Sequence, residues 1–434
     1  MLCFNVSRFF SIFSGIGFAA EHNRIKREQI VYEGAIRPFY IGWRNHETFA
    51  YGMSGLTFNP KGYPDGPNDG YPGSLFAVGH RYEKLIAETS IPIPVKSKDY
   101  NALPRGEMLQ GFGDISEFST TKASIAEYLG SIGENKLEID QLAGLVYVPG
   151  MSGKSRDFIF WTVKRYYNAG NINHPSIGRS EPDTEKPQVK GVWRLGPRTE
   201  AEFHAKSYSN YLFSIPEDWS EMHVGGKSLA AGMSGCPSTR PTATVRPCMH
   251  SPPYLMKQFP PWALPWKPKS FCGIHPIKEN IPDGRNATFG AAALGFAPGI
   301  DPQCSLREPK GWGRYGTGNH CPVGCSSRKG YHCDPIEGQI VLYDPEELAE
   351  VASGDRETWD VLPYEIISYD DADLPFDTCS ALGDVAYDPD ANKLYMVQRI
   401  QGGKPLIHVF RIESISEGAV PSSPSNLQIE NIHE

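Results

Sequence analysis

Short apolar runs separated by turn residues recur at both ends of the chain. Near the front they are 55–60 (GLTFNP), 75–78 (LFAV) and 85–92 (LIAETSIP). Near the end the same order returns as 385–389 (VAYDP), 394–397 (LYMV) and 406–412 (LIHVFRI). Short runs rich in β-branched and aromatic residues, bounded by Gly, Pro, Asn or Asp, are typical of strands. Each end of the chain therefore predicts an antiparallel meander of three strands.

Three further segments repeat parts of this pattern. Residues 144–149 (GLVYVP) resemble its first strand. Residues 211–219 (YLFSIPEDW) and 340–348 (IVLYDPEEL) resemble an outer strand, and both place Pro and acidic residues directly after the apolar run. Pro cannot donate a ladder hydrogen bond, and acidic residues favour the first turn of a helix. Both segments therefore predict a strand that stops and a short helical turn that follows.

The spacing of the repeats predicts an all-β fold, a β-propeller. Four-strand units of roughly 40 to 60 residues, with few helical patterns between them, are typical of that fold. Strand ends near residues 91, 215, 344 and 410 correspond to about six blades, and five or seven also fit. The similarity of the first and last units favours closure, because closure leaves no exposed sheet edge. A large β-sandwich, or two sandwiches, is the alternative.

An irregular, Pro- and Cys-rich loop region interrupts the repeats. Residues 237–268 contain nine prolines together with Trp262 and Trp266, and Pro excludes both helix interiors and central strands. The aromatic residues and nearby cysteines argue against disorder, so we expect an ordered excursion across one face of the domain. The predicted propeller domain spans 21–412. The polar residues 413–434 are expected to form a flexible C-terminal tail.

The first twenty residues have the composition of a secretory signal peptide. Arg8 precedes the twelve-residue apolar run 9–20 (FFSIFSGIGFAA), in which Gly17 and Ala19 are small residues suited to a cleavage site. We expect residues 1–20 to direct export, and an amphipathic or buried start is the alternative. The run is shorter than the roughly 20 residues of a transmembrane helix, and no later segment reaches that length. The predicted location is therefore secreted or extracellular, without a membrane span.

Composition and charge limit the class of partner. The chain has 434 residues, of which 40% are hydrophobic and 21% charged, so it can bury a large core. With 42 Lys and Arg against 50 Asp and Glu, its net charge is -8, which argues against nucleic acid as a partner. The sequence contains no P-loop, no H-E-x-x-H and no G-x-S-x-G. No motif of known chemistry therefore identifies a reaction.

The cysteines cluster in one part of the chain. Apart from Cys3 they are Cys236, Cys248, Cys272, Cys304, Cys321, Cys325, Cys333 and Cys379. An even number in a loop-rich part of an exported chain favours disulfides. Free buried thiols are one alternative. A zinc site is another, because His320, Cys321, Cys325, His332 and Cys333 lie within the run 319–333 (NHCPVGCSSRKGYHC).

Two arginines that follow matching strands define the candidate ligand site. His80 and Arg81 come after the second run of the first unit, and Gln398 and Arg399 come after the second run of the last unit. Equivalent strand ends of different blades meet at one level around a propeller axis, so these side chains can line one funnel. Two guanidinium groups and an imidazole suit a carboxylate or sulfate. The alternatives are solvated or acid-paired arginines and a hydrogen-bonded core histidine.

Aromatic residues among glycines are candidates for carbohydrate binding. They are Trp312, Tyr315, Tyr63 and Tyr71. Aromatic faces suit sugar rings, and the alternative is that these side chains pack propeller turns. Asn286, in the triplet Asn-Ala-Thr, is a glycosylation candidate on an exported chain.

No cofactor and no metal ligand set is assigned from the sequence, and calcium is kept as a candidate ion beside the zinc alternative. The acidic run comprises Asp370, Asp371, Asp373 and Asp377, and a solvated loop is its alternative. Residues 388–392 (DPDAN) have the alternating oxygens that open an EF-hand loop but lack its Gly and distal Glu. We interpret that loop as a strand-joining turn.

Several of these segments together resemble a family of exported, propeller-like proteins that are mostly uncharacterised. The segments are 55–60 (GLTFNP), 75–80 (LFAVGH), 211–219 (YLFSIPEDW), 341–348 (VLYDPEEL), 385–389 (VAYDP) and 407–411 (IHVFR). The resemblance covers most of residues 45–412 and implies a propeller fold and export. It implies no catalytic residues.

The sequence favours binding over catalysis, because it shows no activated nucleophile and no paired acid and base. We expect a non-catalytic extracellular binding or scaffold protein. Its partner is expected to be a small anionic or carbohydrate ligand, or an extracellular protein. The alternative is a propeller enzyme, either a glycosidase or lyase that acts on carbohydrate or an oxidoreductase. A hydrolase of this kind needs two carboxyl groups roughly 5 to 9.5 Å apart in one pocket.

Overall fold

The structure is a computed structural model, and most of the regular secondary structure in its described residues is β-strand. It describes residues 24–39, 46–62, 73–118, 123–137, 139–150, 156–164, 173–194, 198–199, 211–226, 228–232, 254–256, 339–356, 360–368, 381–400 and 404–413. Within these ranges the strands form five antiparallel sheets, three of them four-stranded. An all-β architecture with few helices is therefore confirmed.

The closing sheet combines both ends of the chain. Its strands are β1 (Ile30–Ile36), β15 (Ala381–Asp388), β16 (Lys393–Ile400) and β17 (Lys404–Ile412), in the order β1-β17-β16-β15. β1 pairs antiparallel with β17, so that Ile30 lies opposite Ile412 and Ile36 lies opposite Ile407. The three C-terminal strands match the predicted last unit. The fourth strand, β1, comes from the other end of the chain.

The first and second sheets are consecutive four-stranded meanders. The first sheet consists of β2 (Leu56–Asn59), β3 (Ser74–Val78), β4 (Ile86–Ser90) and β5 (Met108–Gly113). The second sheet consists of β6 (Gln141–Val148), β7 (Phe158–Lys164), β8 (Ile177–Ser180) and β9 (Val189–Trp193). Helix α1 (Ala123–Ser131) lies between them in sequence. The predicted first unit is confirmed, and 144–149 contributes the first strand of the second sheet as predicted.

The third and fourth sheets each contain a strand followed by a short helix. The third sheet consists of β10 (Tyr211–Ser214), β11 (Leu229–Gly232) and β12 (Tyr254–Met256), with α2 (Glu217–Val224) after β10. The fourth consists of β13 (Gln339–Tyr343) and β14 (Pro363–Ser368), with α3 (Pro345–Ser353) after β13. Asp344 caps α3, because its side chain accepts a hydrogen bond from the Glu346 amide. The predicted strand-to-helix transitions are confirmed.

The predicted outer position of β10 stays a prediction. β10 is the edge strand of the third sheet that contacts β6, the first strand of the second sheet. The Pro and acidic residues after a strand report where a helix begins, and they carry no information about which edge of the sheet the strand occupies.

Alternate side chains of the central strands bury both faces of the first sheet. Phe76 and Val78 of β3 pack with Trp161 of the second sheet. Leu75 and Ala77, which point to the other face, pack in a cluster that includes Tyr395 and Val397 of the closing sheet. The first sheet is therefore held between the second sheet and the closing sheet.

Further apolar clusters connect the second sheet with the third, the third with the fourth, and the fourth with the closing sheet. Val146 and Phe160 of the second sheet pack with Leu212 and Ala231 of the third. Helices α2 and α3 join the third sheet to the fourth through a cluster that contains Trp219, Val224, Leu348 and Val351. Leu394 and Met396 of the closing sheet pack with Ile340 and Leu342 of the fourth. The described sheets thus pack in the cyclic order first, second, third, fourth, closing and first.

Asp384 connects the first strands of three sheets. Its buried carboxylate accepts hydrogen bonds from the backbone amides of Val385 in β15, Leu56 in β2 and Leu145 in β6. Gly55 lies at the same junction, where a Cβ would come within 2.0 Å of the Ala143 carbonyl oxygen. These strands therefore approach one another at the level of their backbones.

No helix within the described ranges is both long and apolar enough to cross a membrane.

Candidate functional site

Two chain connections meet at the end of the first sheet. The first leads from β1 to β2 and contains residues 46–55, and the second, residues 79–85, joins β3 to β4. The Met53 amide donates to the Val78 carbonyl at 2.7 Å, and the Val78 amide donates to the Gly55 carbonyl at 2.9 Å. A Cβ on Gly52 would lie 2.3 Å from the Gly79 carbonyl oxygen. Gly52 therefore allows the two connections to pack backbone against backbone.

Phe49 anchors the first connection in the core. Its side chain is fully buried, and its ring centroid lies 5.1 Å from that of Phe39 and 4.9 Å from that of Phe112. Such aromatic clusters are rigid and bury a large apolar area. The polar residues on either side of Phe49 therefore project from a fixed base.

Backbone strain is concentrated in these connections. Six non-glycine residues of the described chain have a left-handed backbone, and four of them lie here: His46 (φ 62°), Tyr51 (φ 53°), Met53 (φ 58°) and Lys84 (φ 59°). Residues in sparsely populated regions cost roughly 1 to 3 kcal/mol each, and they cluster at binding and active sites. The strain makes this end of the first sheet the candidate functional site.

His46, His80 and Glu83 form a cluster of possible ligands at this site. One donor atom from each side chain can be chosen so that all three lie within 4.8 Å of one another. His46 Nδ1 contacts Glu83 Oε1 in a short hydrogen bond, and the His46 and His80 ring centroids are 5.9 Å apart. The Tyr82 amide donates to His80 Nδ1 at 3.5 Å, which leaves Nε2 as the other ring nitrogen available for a ligand.

Exposure and protonation also suit this cluster for binding. The His46 side chain is 64% exposed and that of Glu83 is 32% exposed, so solutes can reach them. Partial burial lowers the pKa of His80; Glu83 opposes this effect, while His46 and Arg81 reinforce it. His80 is therefore a neutral imidazole at neutral pH, which is the form that donates a lone pair.

Arg81 lies beside this cluster with an unsatisfied donor. Its guanidinium carbon is 4.7 Å from the centroid of the Tyr82 ring, which is 56% exposed. Its Nε is buried and has no hydrogen-bond partner among the residues that the structure describes. Buried polar atoms normally have a partner, so this donor requires an explanation.

The other members of the predicted funnel are placed differently. Gln398 is 1% exposed, and His408 Nε2 donates to its Oε1 at 2.7 Å, so its amide joins β16 to β17. The backbone of Arg399 continues β16 opposite Pro405, and its side chain lies outside the described residues. Trp312 and Tyr315 also lie outside them. The structure thus brings His80 and Arg81 together. That the side chains of Arg81 and Arg399 lie close to each other stays a prediction.

Two buried carboxylates elsewhere have structural partners. Glu88 accepts hydrogen bonds from Ser74, from Asn59 at 3.0 Å and from Gln110 at 2.6 Å. Burial raises the pKa of Glu88, and these three hydrogen bonds partly oppose that shift. Asp384 is held by backbone amides of three strands. Both acids are therefore engaged in the packing of the sheets.

The predicted strand-joining turn at 388–392 is confirmed. Asp388 Oδ1 accepts hydrogen bonds from the amides of Asp390 at 3.0 Å and Ala391 at 3.2 Å, within the connection between β15 and β16. Asn392 completes the turn with a left-handed backbone (φ 51°). The Asp388 carboxylate thus closes the turn.

The other sequence candidates lie outside the described residues. They are the signal peptide and tail segments 1–20 and 414–434, all nine cysteines, Asn286, Tyr63, Tyr71, His320, His332 and the acidic residues at 370, 371, 373 and 377. The predictions of disulfides, glycosylation, zinc and calcium at these positions stay predictions.

Sequence reasoning missed His46 and Glu83. His46 is far from His80 in sequence, and its role depends on a left-handed turn that no local motif specifies. The short spacing between His80 and Glu83 in the β3–β4 connection was a usable signal, because two donors on one tight turn can face the same ligand.

Comparisons with known proteins assign neither a family nor a function to this chain. No family model matches this chain, and no curated protein matches it. The resemblance to exported propeller-like proteins therefore stays a prediction. The function must be argued from the geometry of the cluster formed by His46, His80, Arg81 and Glu83.

Proposed function

We propose that this chain is an exported β-propeller that binds a small anionic ligand without catalysing a reaction, and that Arg81 contacts the ligand. The cyclic packing of five described sheets supports the fold, because each sheet has two neighbours and the last packs on the first. The pairing of β1 with β17 also supports it, since a shared closing sheet joins the ends of the ring. The apolar run at 9–20 supports export.

The same packing favours five blades over the six expected from spacing. Helices α2 and α3 contact each other directly, and they belong to the third and fourth sheets. A further blade between these sheets would separate the two helices.

The observation that carries the binding proposal is the unpaired guanidinium of Arg81. Within the described ranges it has no carboxylate partner, and its buried Nε lacks an acceptor. An anion would satisfy that donor through charge-assisted hydrogen bonds, which are worth roughly 1.5 to 3 kcal/mol each. The neutral imidazole of His80 is adjacent and can donate or accept a further hydrogen bond.

Arg399 is proposed as the second cation of the site. Arg81 follows β3, which is next to β2 in the first sheet, and Arg399 lies one residue before the end of β16, which is next to β15 in the closing sheet. In a propeller, neighbouring blades are related by rotation about the axis, so the ends of their second strands face the same side. The direct contact between β2 and β15 makes these two sheets neighbours.

The exposed ring of Tyr82 narrows the class of anion. It is 56% exposed and adjoins the Arg81 guanidinium. Aromatic faces pack against the apolar face of a sugar ring, while a guanidinium pairs with a carboxylate or sulfate. A sugar acid uses both groups, so we propose uronic acids and sulfated sugars as the ligand class.

Binding of a set of sugars tests the proposal. Calorimetry on the purified secreted protein would compare glucuronate, a sulfated monosaccharide and uncharged glucose. We expect the charged sugars to bind, and we expect Arg81→Ala and Arg399→Ala each to weaken binding about tenfold or more, which corresponds to 1.4 kcal/mol. The melting temperature should be nearly unchanged, because Arg81 contributes no described ion pair.

Arg105→Ala is the matched control. Arg105 is an exposed arginine in the connection from β4 to β5, which lies at the opposite end of the first sheet. Its loss should leave affinity unchanged. Equal binding of glucose, or equal affinity of the Arg81 and Arg105 variants, would contradict the proposal, and cleavage of a tested glycoside would favour the enzyme alternative.

A further inference from the structure

Three side chains beside the anion site just described carry donor atoms suited to a metal ion, and one of them, His80, adjoins both sites. His46 belongs to the connection between β1 and β2, whereas His80 and Glu83 belong to the connection between β3 and β4. Their donor atoms lie within 4.8 Å of one another. Ligands on one Zn²⁺ stand roughly 3 to 3.5 Å apart, because each bond is about 2.0 to 2.1 Å long. A modest closing movement of the three side chains would bring their donor atoms to that spacing.

We propose that His46, His80 and Glu83 bind one divalent transition-metal cation of the zinc type. This proposal goes beyond the binding of an anion and does not depend on it. Two imidazole nitrogens and one carboxylate oxygen are the donor set that such cations prefer. Calcium and magnesium require six or more oxygen ligands, which this cluster does not supply. The site therefore differs from the calcium candidates suggested by the sequence.

The surrounding contacts hold the ligands in place before the metal binds. The His80 ring stacks edge-on against the rings of His46 and Tyr51, with centroid distances of 5.9 and 6.3 Å. The Glu83 amide donates to the His80 carbonyl at 2.9 Å, which closes the turn that places both side chains on one side. A preformed site loses less conformational entropy on binding than a flexible one.

His46 Nδ1 and Glu83 Oε1 already contact each other in a short hydrogen bond. A cation bound to both atoms would take the place of that hydrogen bond. The positive charge of Arg81 acts on the His80 ring and repels a cation, which should keep the affinity moderate. A bound cation would still leave coordination positions open to water or an anion.

Zinc titration of the full-length secreted protein tests the proposal. The protein carries no polyhistidine tag, is stripped with a chelator, and has its accessible thiols blocked with N-ethylmaleimide so that cysteines cannot bind Zn²⁺. A competing chromophoric chelator then reports affinity and stoichiometry for Zn²⁺ alone. We expect one site, whose affinity falls roughly tenfold or more in His46→Ala, His80→Ala and Glu83→Gln.

His223→Ala is the matched control. His223 and Glu346 form a similar pair, with Nε2 and Oε1 3.8 Å apart, but the described residues offer no third ligand there. Its loss should leave the affinity unchanged. His46→Ala should also fold normally, because that side chain is 64% exposed. Absence of zinc binding by the wild type, or wild-type affinity in the His46 and His80 variants, would overturn the proposal.

Discussion

Asp384 is a buried carboxylate whose hydrogen-bond partners come from three strands. Its oxygens accept from the amides of Val385, Leu56 and Leu145, which belong to β15, β2 and β6. Burial raises its pKa well above the ordinary value, and the three amides partly oppose this shift. The carboxylate supplies acceptors to amides of converging strands, which would otherwise be buried without a hydrogen-bond partner.

Asp384→Ala should lower the free energy of unfolding by about 3 kcal/mol, because each orphaned amide costs roughly 1 to 3 kcal/mol. Urea unfolding monitored by tryptophan fluorescence measures the change. Asp390→Ala is the control, since Asp390 is exposed in the β15–β16 turn and only its amide is used there. The control should shift stability by less than about 0.5 kcal/mol. Equal stability of the two variants would show that Asp384 does not join the strands.

At the scale of elements, β1 is tied to the closing sheet by a buried histidine. The Tyr32 hydroxyl lies 3.1 Å from His408 Nδ1, and His408 Nε2 donates to Gln398 Oε1 at 2.7 Å. This arrangement uses both ring nitrogens of a neutral imidazole and connects β1, β17 and β16. Complete burial lowers the pKa of His408 from 6.5 to about 3.

The His408 contact predicts a loss of stability in acid. The unfolded chain binds a proton below pH 6.5, whereas the folded protein resists it down to about pH 3. Stability from this group is therefore complete above pH 6.5 and falls as the pH decreases, by about 2 kcal/mol between pH 7 and pH 5. Urea unfolding at both values measures it, and His408→Gln should show a pH dependence smaller by that amount. An identical pH dependence in both proteins would contradict a buried neutral His408.

The two connections at the candidate site provide a second test at this scale. Gly52→Ala should lower the free energy of unfolding by roughly 1 to 3 kcal/mol, because its Cβ would lie 2.3 Å from the Gly79 carbonyl oxygen. Gly130→Ala in α1 is the control, since a Cβ added at Gly130 would meet no neighbouring atom within 4 Å. A helical Ala should be neutral or stabilising by up to about 1 kcal/mol. Thermal unfolding compares the two, and a neutral Gly52→Ala would show that the connections are not closely packed.

Much of the fold could be predicted from local patterns, whereas the long-range pairings could not. The runs that became β2, β3 and β4 carried their strand signal within a few residues, as did β15, β16 and β17. The pairing of β1 with β17 could not be predicted, because it joins residues near opposite ends of the chain. The similarity of the first and last units made it possible to predict His80 and Arg81 as site residues. His46 could not be predicted, because its position depends on the packing of Gly52 and Phe49.

At the scale of the whole molecule, the cysteines provide a test for the part of the chain that lies outside the described sheets. All eight cysteines after Cys3 lie between residues 236 and 379. If the chain is exported, a loop-rich region with little core of its own needs covalent ties. Thiol titration of the unfolded, unreduced protein should find few free groups. Mostly free thiols would indicate a reducing compartment or the zinc alternative at 320–333.

The proposed closure of the sheets into a ring is the central claim, since it would place the ends of β3 and β16 on one face. A crystal structure of the purified protein tests it most directly. We predict five sheets around one axis, with β2, β6, β10 and β15 nearest that axis and β1 on the outer edge of the closing sheet. Two sheets stacked face to face about 10 Å apart, as in a β-sandwich, would contradict the account.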